Sequence, residues 1–190
     1  MTERILKNGG FNMDEQNQVR EIEVVKYNSS WKKEFMKESK LIEDIMKEEI
    51  IKIHHIGSTS IPGIFAKPVI DVLLEVKDIN NIDKYNNELS KLGYVSKGEY
   101  GISERRFFLK GVYHRTHHIH VFETGNLEIE KHLNFRDYMI AHPEEAKMYG
   151  ELKKELAIKF KHDIDSYCNG KNQFIKDIDR KAYEWSKFKK

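Results

Sequence analysis

Asp71 stands inside an otherwise apolar run, Val69-Ile70-Asp71-Val72-Leu73-Leu74. Taking an unpaired carboxylate out of water costs several kcal/mol or forces its protonation, so an acid kept there is paired, hydrogen-bonded or bound to a metal. Upstream, a second apolar run closes on Gly57-Ser58-Thr59. Glycine lets the backbone approach a ligand closely. Ser58 and the N–H groups around it, from Gly57 to Thr59, can hold phosphate oxygens, although the same pair also serves as a plain structural turn. A phosphate cradle beside a carboxylate able to hold Mg²⁺ or Mn²⁺ is what nucleotidyl transfer needs, because the cation neutralises phosphate charge and orients the attacked phosphorus.

His118-Ile119-His120 is a second source of chemistry. On a strand this spacing points two imidazoles to one face, which suits Zn²⁺ or another transition metal, and His55 with Asp71 would complete a four-ligand set. Lys67 precedes Pro68 and is therefore held extended at the entrance to the Asp71 strand, either as a phosphate-binding ammonium or as a solvated loop lysine. Arg106 shares a strand face with Phe108 and Lys110; if that face is the open side of the sheet, it offers a bidentate clamp for phosphate or carboxylate. Arg136 falls on the helical stripe of Ile129, Leu133 and Ile140, and Lys171 on the stripe of Tyr167, Phe174, Ile178 and Trp185. Inward-leaning cations either snorkel or converge on an anionic ligand over the sheet. His114, His117, His132 and His162 read as turn or surface residues.

Two strands must hold the first set of residues. The run Ile50 to Ile56 leads into the Gly57-Ser58 turn, and the run after Pro68 carries Asp71. Asn28, Ser29 or Ser30 caps a preceding helix with Trp31, Phe35, Ile42, Ile45 and Met46 on its stripe, and a short extended piece, Glu23 to Tyr27, comes before it. An amphipathic helix from Asn80 to Leu92 closes at Gly93. From Tyr94 to Phe122 the period is two, with a turn at 111–116. Helices follow over 127–141, 144–162 and 164–187, with Pro143 at a tolerated first-turn position. This alternation predicts an α/β (α+β) fold: a small mixed sheet backed by helices, with a C-terminal helical part.

The chain has 190 residues with 39% hydrophobic content, enough for a single domain over 21–190 behind a polar, Asn/Gln-rich segment over 1–20 that reads as a mobile tail. Its 33 basic and 31 acidic residues leave a net charge of +2, which argues neither for a dedicated nucleic-acid surface nor for a disordered acidic chain. One cysteine, Cys168, excludes an internal disulfide and a cysteine-rich metal site. No signal-peptide core or membrane span is present in the sequence, and the expectation is a cytoplasmic protein of undefined oligomeric state.

Taken together, His55 to Asp71, Arg105-Arg106-Phe107-Phe108, His118-Ile119-His120, Phe135 to Tyr138, His142-Pro143-Glu144 and Tyr167 to Lys171 resemble the GrpB family (UPF0157), over about Val24 to Trp185. That family looks like a branch of the polymerase-β-like nucleotidyltransferases, whose signature is Gly-Ser followed by an acidic pair spaced i, i+2 on a strand. The resemblance implies a nucleotidyltransferase-like fold that binds a nucleoside triphosphate and a divalent cation, Mg²⁺ or Mn²⁺ with Zn²⁺ as the alternative, and acts on an acceptor the sequence does not name. In that reading Gly57, Ser58, Thr59, Lys67, Arg106, Arg136 and Lys171 hold phosphate. Asp71, His118, His120 and His55 hold the metal, and Asp71, His118 and His120 carry catalysis. Position 73, where the superfamily has its second acid, is Leu73 here. Glu75 shares that face about 6.6 Å further along, beyond reach of the same ion. Leu73 leaves open a nucleotide- or anion-binding module without transfer chemistry, and the histidines leave open a transition-metal-dependent hydrolase.

Overall fold

The computed structural model describes residues 21–111 and 114–188. The expected tail over 1–20 lies outside the described residues, as do two residues of the 111–116 turn. Helix α1, Ser30–Met46, follows Asn28, whose side chain accepts a hydrogen bond from the Ser30 N–H. It buries Trp31, Ile42 and Met46, so the stripe expected from sequence is the face that packs. Strand β1, Ile50–Ile56, and strand β2, Ile70–Val76, form an antiparallel pair in which Ile56 stands opposite Asp71. The chain then makes a 3-10 segment, Ile79–Tyr85, and a short helix α2, Asn86–Lys91, in place of one continuous helix. Asp78 caps the first of these through the Asn80 N–H.

Strands β3, Tyr94–Ser96, β4, Arg105–Lys110, and β5, His117–Glu123, complete a five-stranded sheet of order β1-β2-β5-β4-β3. Only the β2–β5 pair is parallel, so the sheet is mixed. Four helices close the chain: α3, Leu127–Ala141, α4, Pro143–Lys159, α5, Ile164–Gly170, and α6, Asn172–Ser186. The last two replace the single helix that the apolar stripe had suggested. The Glu23 to Tyr27 piece makes one bridge, Val25 with Ala66.

Strand β2 is covered on both sides, which explains its near-continuous apolar character. One face, with Val72, Leu74 and Val76 beside Ile119 and Val121 of β5 and Phe108 of β4, packs on Ile42 and Met46 of α1 and Leu89 of α2. Each of these aliphatic side chains is worth about 1.5–3 kcal/mol of burial. The other face carries Leu73, Phe122 and Ile56 against Ile129 of α3. Asp71, His118 and His120 lie on this second face, where the sheet meets the C-terminal helices.

Candidate functional site

The parallel pairing of β2 with β5 sets Asp71 directly beside His118. His118 Nδ1 lies 2.9 Å from Asp71 Oδ1, and His120 Nε2 lies 3.7 Å from the same oxygen. One donor atom from each of the three residues falls within 4.8 Å of the others, a spacing that one cation can satisfy. Burial pushes the Asp71 carboxyl up, but hydrogen bonds and charge from His118 and His120 outweigh it and hold the acid ionised, well below the usual carboxylate range. His120 is pulled down by burial, partly offset by Asp71, so the face presents a carboxylate and an uncharged imidazole together.

Gly57 lies against this carboxylate. Its backbone, at φ 67° and ψ −172°, belongs to a region that glycine alone adopts readily, and a Cβ there would stand 2.2 Å from Asp71 Oδ2. The 3-10 turn Ser58–Ser60 that follows is closed by Ser60 and Ile61 N–H groups bonding back to Gly57 and Ser58 carbonyls, and by the Ser60 hydroxyl on the Gly57 carbonyl. Ser58 and Asp71 share a cleft of about 230 Å³ with His118, Lys67, Lys153 and Lys171. Lys67 and Lys171 lie over the Tyr167 ring at 5.5 and 4.8 Å from its centroid.

Lys153 escaped the sequence reading. It sits on α4 at 2% exposure, its ammonium 4.4 Å from the Tyr149 ring centroid and without a hydrogen-bond partner among the described residues. Burial, with Lys171 nearby, drives its pKa well below the ordinary lysine value. Gly150 brings α4 this close: a Cβ there would stand 2.9 Å from the Phe65 backbone nitrogen. The signal was present in the sequence, because Ala146, Tyr149, Lys153 and Ala157 form a buried stripe at helical spacing, the same criterion that picked out Arg136 and Lys171.

A family model described as "GrpB protein" matches residues 21–181. The chain belongs to the GrpB family. It is 46% identical over 168 residues to the UPF0157 protein YqkA of Bacillus subtilis (strain 168), covering 88% of this chain and 49% of that relative. The Glutamate-rich protein GrpB of Alkalihalophilus pseudofirmus is 39% identical over 163 residues, covering 83% of this chain and 94% of the relative. The crystal structure of GrpB from Enterococcus faecalis superposes with a TM-score of 0.84 at 41% identity, over 86% of this chain and 99% of that one. The GrpB fold extends from the sheet through the C-terminal helices, so the site described here lies within shared architecture.

Against this GrpB framework several expected site residues move. His55 is on the opposite face from Asp71, because it pairs with Val72 and not with Asp71 itself. Its ring stacks on Phe35 of α1 at 4.6 Å, and its Nε2 lies 3.0 Å from Thr59 Oγ1; burial there lowers its pKa to about 4. It is a packing residue and not a fourth metal ligand. Arg106 also faces the α1–α2 side, where it pairs with Asp83 at 3.0 Å, so it clamps no anion over Asp71. Thr59 is buried and spends its hydroxyl on the Val69 carbonyl.

Arg136 and Lys171 line different clefts. Arg136 donates to the His55 carbonyl and pairs with Asp137, on the far side of the Ser58–Ser60 turn, while Lys171 stays with Asp71. Glu75 accepts from Thr124 and meets His54 and Lys52, which leaves Asp71 the sole acid at the histidine pair among the described residues. His132 is no surface residue. Its ring lies 5.4 Å from that of His120, its Nε2 is buried without a partner among the described residues, and burial pulls its pKa to about 3. His117 is on β5, 4.0 Å from Glu38, while His114 and His162 are exposed.

Proposed function

We propose that the chain binds a nucleoside triphosphate together with a divalent cation in the Asp71 cleft, as a nucleotidyltransferase-like protein with a separate acceptor. The observation that carries this reading is the convergence of one carboxylate and two imidazoles beside a small cleft that holds a serine hydroxyl and three lysines. The donor set fits a cation: Asp71 supplies charge, and His118 and His120 supply neutral nitrogen. A mixed set of this kind suits Mn²⁺ or Zn²⁺ as well as Mg²⁺. When bound, the cation would neutralise phosphate charge and polarise a phosphoryl oxygen.

The remaining work falls to the chain itself. Ser58 would donate its hydroxyl to a phosphate oxygen, and Gly57 would let that oxygen come close to the turn. Lys67 and Lys171, held over Tyr167, would carry positive charge to the entrance of the cleft. His118 has one free lone pair for either task, holding the cation or taking a proton: where Asp71 and His120 alone hold the cation, His118, hydrogen-bonded to the carboxylate, would accept a proton from an incoming hydroxyl. Leu73 is 0% exposed in an apolar cluster and cannot be read as a slot for a second acid, which favours one cation over two. The same observation supports a second reading, a module that binds nucleotide and performs no transfer.

A thermal-shift series tests this proposal, with ATP, GTP, CTP and UTP each combined with Mg²⁺, Mn²⁺, Zn²⁺ or EDTA. A ligand at a hundred times its dissociation constant adds about 2.7 kcal/mol, which raises Tm by several degrees. The expected shift requires nucleotide and cation together. A shift with Zn²⁺ alone would replace the nucleotide reading with a transition-metal site, and no shift with any combination would refute it. Pyrophosphate release with any acceptor separates the transferase from the binding module.

A further inference from the structure

Lys153 is a costly group among the described residues. An ammonium or amine at 2% exposure, with no hydrogen-bond partner among the described residues, is a group that folding disfavours. An unbranched apolar side chain of similar length would fill the same space on α4 without that penalty. Costly polar groups of this kind persist where activity needs them, at the expense of stability.

Its surroundings specify the partner it lacks. Lys153 lines the cleft of about 230 Å³ together with Ser58 and Asp71, with Lys171 close enough to disfavour its charge. The Tyr149 ring lies 4.4 Å from the nitrogen, whose donors have no hydrogen-bond partner among the described residues. Three lysine amines and a serine hydroxyl lining one cleft, beside a cation-sized set of donors, match a phosphate with more than one negative charge. A bound dianion would reverse the electrostatic balance and favour the ammonium form.

We propose that Lys153 is the innermost ligand for the phosphate end of a polyphosphate, held in the cleft unpartnered until that anion arrives. This rests on the reading of the cleft as a phosphate site, and it adds the residue that grips the anion and the part of the ligand gripped. Inorganic tripolyphosphate with Mn²⁺ is the appropriate probe, since it carries the phosphates without base or sugar.

Calorimetric titration of the full chain, paired with melting curves, tests it in wild type and Lys153→Met. The expected result is opposite movement: affinity for tripolyphosphate falls about tenfold or more while the ligand-free Tm rises. A lysine kept only for packing would give a lower or unchanged Tm with unaltered affinity, and that outcome would overturn the assignment. Wild type that binds neither tripolyphosphate nor ATP would remove the phosphate reading itself, whereas wild-type binding matched by Lys153→Met removes Lys153 alone. Lys153→Gln, which keeps a donor and loses the charge, serves as the second variant if the methionine chain does not fold, with the same loss of affinity expected.

Discussion

Gly57→Ala tests the geometry of the site more directly than any change to a charged residue. The added methyl would sit 2.2 Å from Asp71 Oδ2 and 2.9 Å from its Cγ, well inside contact distance, on a backbone at φ 67° and ψ −172°. Backbone strain of that kind costs about 1–3 kcal/mol. The carboxylate must also move away from His118, losing a charge-assisted hydrogen bond worth about 1.5–3 kcal/mol. Together these predict a loss of about 2.5–6 kcal/mol, seen as a Tm lower by about 5–25 °C. A double-mutant cycle with Asp71→Ala separates the two contributions. In the Asp71→Ala background only backbone strain remains, so the cost of Gly57→Ala should fall by about 1.5–3 kcal/mol. Equal costs in both backgrounds would refute the claim that the carboxylate excludes a side chain at position 57, and a wild-type Tm for the single variant would refute the strain argument as well.

Three further outcomes follow from the same structure. Asp71→Asn should abolish metal-dependent stabilisation in calorimetry or thermal shift while the far-ultraviolet circular dichroism stays that of wild type; retained Mn²⁺ or Zn²⁺ binding would free Asp71 of that role. Leu73→Asp should create no second metal site, because the side chain is 0% exposed among Ile56, Phe122 and Ile129; a loss of at least about 3 kcal/mol in urea unfolding is expected. His132, with its pKa pulled to about 3 by burial, takes up its proton in the unfolded chain first, so its contribution to stability is present above pH 6.5 and is lost as pH falls. Between pH 6.5 and 4 this amounts to about 3 kcal/mol, and His132→Phe should flatten the pH dependence of urea unfolding by about that much.

Among the described residues, no helix is long and apolar enough to cross a membrane. The period of two over 105–110 and 117–123 was readable as strands, and so were the helices at 30–46 and 127–141, because each buries one face and repeats its apolar residues accordingly. The break between α5 and α6 was not, since the apolar stripe runs on through Lys171 and only the local hydrogen bonds end one helix and begin the next.

For the site, residue type in context was enough to select Asp71, Gly57, Ser58, His118 and His120. A buried acid, a glycine-serine turn and paired histidines are each chemically unusual wherever the chain puts them. Lateral pairing was not legible. Strand register alone determines that Asp71 neighbours His118, that His55 neighbours Val72 and so turns to the α1 side, and that Arg106 turns the same way to Asp83. Alternation says which residues share a face, but only hydrogen bonding between strands says which faces meet. Helix packing decided the rest: Gly150 lets α4 approach the loop before β2, and that approach, which no local pattern encodes, carries Lys153 into the cleft and leaves Arg136 in another.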